Sequence, residues 1–241
     1  THRRFMEEQE VKIFPLPALY VMETTMPESM VDSVNNYMDE YKAKEDRKSL
    51  APTLVGQIDK AEQLLLDHTD ERMAEYNQFI CNLGAAYIDH FGKSGNKVGG
   101  SKQVAIDETW SVHSYEGDYN PLHDHGTKTL MGISTTGWTK VPAQIGTTNA
   151  SSPTYSLHNK SGHADGCIIF QYGPTATLDA ERLKPAQSIV ITPEVGKLWV
   201  FPSWLQHMVY PFKGEGERRT IASNLNCWEI GQTGSQNSKV N

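Results

Sequence analysis

Residues 196–228 read GKLWVFPSWLQHMVYPFKGEGERRTIASNLNCW, from Gly196 to Trp228, and this stretch decides the fold. Three short runs, 197–201, 207–212 and 219–228, are rich in Val, Ile, Thr and aromatic residues, and Pro and Gly separate them. That texture is the mark of strands. Working outward, it recurs at 104–115, 127–138, 167–173 and 188–192, again with Gly, Pro and Asn between the runs. Many short strands without intervening helices read as a sandwich or barrel.

The front of the chain has a different period. Pro27-Glu28 opens a helical stretch to about Lys44, with Met30, Val31, Val34, Tyr37 and Met38 at 3–4 spacing. Thr69-Asp70-Glu71-Arg72 offers an N-cap with acidic first-turn residues, and Met73, Tyr76, Phe79, Ile80, Leu83, Tyr87 and Phe91 then repeat at helical period up to Gly92. Such a stripe is the face a helix packs on a sheet. The run Val11–Tyr20, broken by Pro15 and Pro17, suits an edge strand or an extended lead-in. Residues 45–60 are polar and irregular. The expected organisation is α+β and a single domain over 1–230, with a helix-rich front (1–100) packed on a β-rich core (101–230) and a frayed tail at 231–241.

Composition narrows the function. The chain has 241 residues, 22 Lys+Arg against 29 Asp+Glu, and a formal charge of −7. Its length is enough for a self-sufficient core without a disulfide or zinc scaffold. An acidic chain with no long basic block argues against duplex DNA and anionic membranes as partners. Cys81, Cys167 and Cys227 form no CxxC pair, and an odd count reads as buried thiols in a reducing, cytoplasmic compartment. No apolar window reaches membrane-span length. Thr1-His2-Arg3-Arg4 is followed by no apolar segment of the kind a secretion signal carries.

Of nine histidines, three stand out. In Tyr119-Asn120-Pro121-Leu122-His123-Asp124-His125-Gly126, two imidazoles two residues apart project from one face of a strand, with Asp124 on the other. His207 follows an almost wholly apolar strand and turn, where an unpaired imidazole is costly and metal coordination would satisfy it. Arg218 and Thr220 share one strand face, and a guanidinium fork beside a hydroxyl suits a carboxylate. Taken singly, each has an ordinary reading as a surface turn, a hydrogen-bonded core histidine or an exposed charge in the GEGERR turn.

Together these elements resemble the iron(II)- and 2-oxoglutarate-dependent oxygenases. More closely, they resemble a branch whose pattern runs Gly-Asp-x-Asn-x-x-His-x-His, then Phe-Pro-Ser-Trp-Leu-x-His-x-Val, then Glu-Arg-x-Ser and a closing Asn. The matching residues are Gly117–His125, Phe201–Val209, Glu217–Thr220 and Asn224, so the resemblance covers about residues 105–228. It implies a double-stranded β-helix (jelly roll) with the N-terminal helices on one sheet. It also implies Fe(II) on His123, His125 and His207, and 2-oxoglutarate as cosubstrate with its far carboxylate on Arg218 and Thr220. The implied reaction is hydroxylation or related C–H oxidation of a small-molecule or peptide substrate; a homodimer is compatible with this.

Two departures qualify the resemblance. Gly126 stands where the branch usually has Pro, and Ser134 and Thr135 stand where it has aromatics. The second ligand position is His125 rather than the carboxylate of the usual facial triad. The alternative is ligation by Asp124 through a local bulge, with a neighbouring His in support. Trp199, Phe201 and Trp204 are expected to wall the iron from water, and the polar 142–166 stretch, with His158 and His163, to act as a lid. The rival readings are a three-histidine cupin-type enzyme that uses no keto acid, and a non-catalytic jelly-roll binding module.

Overall fold

The computed structural model describes residues 19–53, 62–93, 102–129, 131–145, 164–174 and 181–229. Two helices form, α1 (Glu28–Lys42) and α2 (Ala74–Lys93). The strands are β1 (Met22–Thr25), β2 (Lys48–Ser49), β3 (Glu62–Leu66), β4 (Lys102–Ser114), β5 (Asn120–His123), β6 (Ile133–Lys140), β7 (Ile168–Gln171), β8 (Ser188–Ile191), β9 (Lys197–Pro202), β10 (Gln206–Val209) and β11 (Arg218–Glu229). They pair antiparallel into a major sheet, β1-β9-β6-β11-β4-β3-β2, and a minor sheet, β5-β10-β7-β8. This is the α+β double-stranded β-helix that the sequence led us to expect.

Side-chain alternation divides the major sheet between two jobs. One face meets the helices: Ile133, Leu198, Val200, Ile221 and Leu225 pack with Met30, Val34, Tyr76 and Ile80. Gly84 shows how tight that contact is. A Cβ there would lie 3.0 Å from Leu225 Cδ1 and 3.1 Å from Val104 Cγ1, so a residue that costs about 1 kcal/mol in a helix interior is what lets α2 approach β4 and β11. The start of α2 is set by Asp70, whose carboxylate accepts the Arg72 N–H at 3.0 Å and caps the short 3₁₀ turn Glu71–Met73. The other face of the major sheet turns toward the minor sheet, with Trp138, Phe170, Trp199, Phe201 and Leu205 between them.

A polar cluster fixes which face β11 shows to which neighbour. Arg219 faces the helices, where it donates to Glu217 Oε1 and Oε2 (2.9 Å each) and to Asp39 Oδ1 on α1 (2.6 Å). Burial keeps His113 neutral, so its Nδ1–H donates to Glu217 Oε1 at 2.5 Å while its Nε2 accepts from Ser111 Oγ at 3.0 Å. Burial alone would push the Glu217 carboxyl up, but His113 and Arg219 outweigh it and hold it down from 4.5 to about 2. A carboxyl with a depressed folded pKa stabilises the fold fully above its unfolded value, and that stabilisation fades as pH falls from about 4.5 toward 2. The shift corresponds to about 3 kcal/mol. Glu217→Gln should therefore lower the urea-unfolding free energy at pH 7 by roughly that amount and flatten its decline between pH 4.5 and 2; an unchanged acid slope would count against this role.

The sequence placed both helices to within two residues and most of the strands. Three differences have physical causes. The strand expected at 127–138 starts at Ile133, because residues 127–129 lie against β11 through side chains rather than as a ladder: Thr129 Oγ1 accepts the Cys227 N–H at 3.0 Å. The 45–60 stretch and its neighbourhood contain β2, and the unheralded β3 pairs with both β2 and β4. The Val11–Tyr20 lead-in falls almost wholly outside the described residues, and the edge strand beside β9 is Met22–Thr25. The tail at 231–241 and residues 146–163 of the expected lid, His158 and His163 included, are also outside them. Cys81, Cys167 and Cys227 are free thiols, the last two buried. Among the described residues no helix is long and apolar enough to cross a membrane.

Candidate active site

Between the sheets lies a cavity of about 420 Å³. Strand parity delivers its walls: Arg218, Thr220, Ala222 and Asn224 line it from β11, and Glu108, Trp110, Val112 and Ser114 from β4. Their odd-numbered neighbours face the helices. Because Arg219 is held by Glu217 and Asp39, it is Arg218 of the tandem pair that enters the cavity.

His123, His125 and His207 come together there. One nitrogen from each lies within 4.8 Å of the others, and they form the one His/Cys/Asp/Glu group among the described residues arranged to hold a metal ion. His123 and His207 are direct cross-strand partners on β5 and β10, with ring centroids 4.2 Å apart. His125 lies beyond the end of β5, so it is not placed by strand alternation alone. Its N–H donates to Ser203 O in the β9–β10 turn at 2.9 Å, which brings its ring to 4.8 Å from that of His207. Asp124 is exposed at the rim and is not part of the group.

Each imidazole has its Nδ1 engaged elsewhere. His123 Nδ1 lies 2.7 Å from Pro121 O and His207 Nδ1 lies 2.9 Å from Leu205 O; a carbonyl only accepts, so both Nδ1 atoms carry the proton. The His125 Nδ1 lies between Ser134 Oγ (3.0 Å) and Asn224 Oδ1 (3.1 Å). That leaves the Nε2 atoms as the nitrogens available for ligation. Asn120 Nδ2, 3.2 Å from His123 Nε2, occupies the direction that a metal ion would take. Desolvation pushes all three imidazoles down, His125 to about 4 and His207 to about 3, so they are neutral at physiological pH as ligation requires.

Phe201 stands against His207 (5.1 Å between centroids), Phe170 covers the same ring at 5.9 Å, and Trp110 meets His125 edge-on at 5.3 Å. The aromatic rings that pack on the imidazoles are thus Phe201, Phe170 and Trp110. Trp199 packs behind them, 6.3 Å from Phe170, and Trp204, expected in the wall, is 63% exposed on the β9–β10 turn. The turn itself accounts for this: it is Ser203 O and the buried Leu205 that face inward, leaving Trp204 outside.

Arg218 is almost fully buried, and burial lowers its pKa to about 10. Its hydrogen bonds go to neutral acceptors only: Gly166 O (2.9 Å), Tyr210 O (3.3 Å) and Ser114 Oγ (3.2 Å). Among the described residues its Nε has no partner and no carboxylate forms an ion pair with it. A buried cation with an idle donor at a cavity wall is suited to an anion.

The chain's relationships agree with this geometry. Residues 108–224 match the model of the family described as "Putative 2OG-Fe(II) oxygenase". The match marks the protein as an oxidoreductase of the kind that uses ferrous iron and 2-oxoglutarate. Its fold is similar to that of a prolyl-4-hydroxylase from Pseudomonas putida, with a TM-score of 0.51 at 13% identity over 86% of this chain and 92% of that one. AviO1 from Streptomyces viridochromogenes Tue57 gives 0.51 at 12%, over 86% and 89%. A non-heme alpha-ketoglutarate-dependent carbocyclase of nogalamycin biosynthesis, SnoK, gives 0.53 at 9%, over 86% and 79%. At such identities the likeness is one of fold. No curated protein sequence matches the chain.

Proposed function

We propose that His123, His125 and His207 hold the ferrous ion through Nε2, that Arg218 and Thr220 hold the far carboxylate of 2-oxoglutarate, and that the protein hydroxylates, or oxidises in a related way, a C–H bond of a small-molecule or peptide substrate. The observation that carries this is the meeting of three neutral imidazoles, their Nδ1 atoms already engaged, with an anion-seeking Arg218 on the wall of one cavity. Iron with 2-oxoglutarate would supply oxidation of an unactivated C–H bond by O₂, with the keto acid cleaved to succinate and CO₂, one oxygen atom of O₂ entering succinate and the other serving to hydroxylate the substrate.

The chain's own groups do the rest. Three protein ligands are fewer than ferrous iron takes, so His123, His125 and His207 would hold the ion while leaving room for a cosubstrate. Three neutral imidazoles also leave the dication uncompensated, which favours a dianionic chelator over a neutral one. Arg218 and the Thr220 hydroxyl orient that chelator from its far end, the guanidinium through paired donors. Phe201, Phe170 and Trp110 keep water from the metal-facing side of the rings. The free thiols fit a reducing, cytoplasmic setting.

The test is anaerobic addition of Fe(II) and 2-oxoglutarate, followed by air. The expected result is a weak visible charge-transfer band that needs both additions, then succinate release that a pool of small molecules or peptides stimulates. Metal binding without a keto-acid-dependent band would instead support a three-histidine site that does not use 2-oxoglutarate.

A further inference from the structure

The ligand set lacks the carboxylate that iron sites of this class commonly contain, yet a carboxylate stands two hydrogen bonds behind one of the histidines. Glu108 on β4 and Asn224 on β11 are cross-strand partners at the bulge after Asn224. Asn224 Nδ2 donates to Glu108 Oε1 at 3.0 Å, and Asn224 Oδ1 lies 3.1 Å from His125 Nδ1. Ser134 Oγ donates to the same Oδ1 at 2.7 Å. Asn224 and Ser134 are buried, so water does not offer them alternatives.

Donor and acceptor rules then leave one arrangement. An ionised carboxylate only accepts, so Glu108 requires the NH₂ end of the Asn224 amide to face it. The amide oxygen must then face His125. An oxygen 3.1 Å from Nδ1 repels an unprotonated nitrogen and attracts a protonated one, so His125 carries its proton on Nδ1 and presents the bare Nε2 to the cavity. Reversing the amide would put two acceptors, the amide oxygen and the carboxylate, against each other at Glu108, so it is the Glu108 contact that decides the orientation. For His123 and His207 a backbone carbonyl does this work directly; only for His125 is it delegated to side chains.

We infer that Glu108 is a positioning residue that, through the Asn224 amide, fixes the tautomer and ring orientation of His125 and so makes its Nε2 available to the metal. This rests on the metal assignment proposed above. It is the outer-sphere carboxylate–histidine arrangement with an amide interposed, and it sets a negative charge near a ligand shell of neutral rings.

Two measurements test it. The first is ¹⁵N NMR of histidine-labelled, metal-free protein, with the His125 signals assigned by loss in His125→Ala. Nδ1 of His125 should be the protonated nitrogen in the native protein; protonation on Nε2 would overturn the inference whatever the Glu108 variants do. The second is competitive Co(II) titration of Glu108→Ala and Glu108→Gln, with far-ultraviolet circular dichroism to confirm the fold. Loss of the acceptor should weaken Co(II) binding about 10- to 100-fold and disturb the His125 tautomer. The Glu108→Gln side chain can still accept through its amide oxygen, so this variant should recover most of the affinity. A folded Glu108→Ala protein with native tautomer and native Co(II) affinity would refute the role. If the native protein binds no Co(II) at all, the metal assignment fails, while the NMR result still decides whether Glu108 governs His125.

Discussion

Replacing Arg218 by alanine is expected to weaken 2-oxoglutarate binding roughly 100-fold, about 3 kcal/mol, while leaving Co(II) binding to the three histidines close to native. The reasoning is electrostatic. Arg218 is a buried guanidinium with three neutral acceptors, an idle Nε and a pKa already pushed down to about 10 by desolvation, so a carboxylate delivered to it relieves a cost the fold otherwise bears. Arg218→Lys should fall between, because a point charge survives while the planar fork is lost. Isothermal titration of 2-oxoglutarate into the Co(II)-loaded protein reads both variants. Native affinity in Arg218→Ala would assign the cosubstrate carboxylate to another residue.

His207→Ala should have the larger effect on metal. His207 is buried, is the cross-strand partner of His123, and has its ring centroid 4.8 Å from that of His125, so its loss removes a nitrogen from the centre of the group. The loss in Co(II) affinity should exceed the roughly 10- to 100-fold that an outer-sphere change costs, and succinate release should fall to background. The variant should still fold. Its Leu205 carbonyl loses a hydrogen-bond donor, but a strongly desolvated imidazole, with a pKa of about 3, is also removed. Stoichiometric Co(II) binding by folded His207→Ala would remove that residue from the site.

How far these features could be read from the sequence varied with the range of the interaction that creates them. The helices were legible because 3.6-residue periodicity is local, and Arg218 was legible because it shares parity with Thr220. What selects Arg218 over Arg219 was not, since the selection is made by Asp39 on α1 and by His113 on β4. The His123/His125 spacing pointed to a shared face, but His125 owes its place to the Ser203 carbonyl, a contact across 78 residues of chain (203 − 125). β3 was missed because Glu62–Leu66 becomes a strand by pairing with partners on either side. Ser134 looked like a departure from an aromatic pattern; its hydroxyl in fact lies 3.0 Å from His125 Nδ1 and donates to Asn224. Trp110 and Glu108 carried no signal that set them apart from other strand residues, and only the register of β4 against β11 brings them to the cavity.

The most direct measurement is anomalous diffraction at the iron edge from crystals grown anaerobically with Fe(II) and 2-oxoglutarate. A single peak within bonding distance of Nε2 of His123, His125 and His207, with keto-acid density reaching Arg218, is the expected result. A peak elsewhere, no peak between those rings, or a cosubstrate carboxylate held away from Arg218 would contradict the assignment on which the proposed chemistry depends.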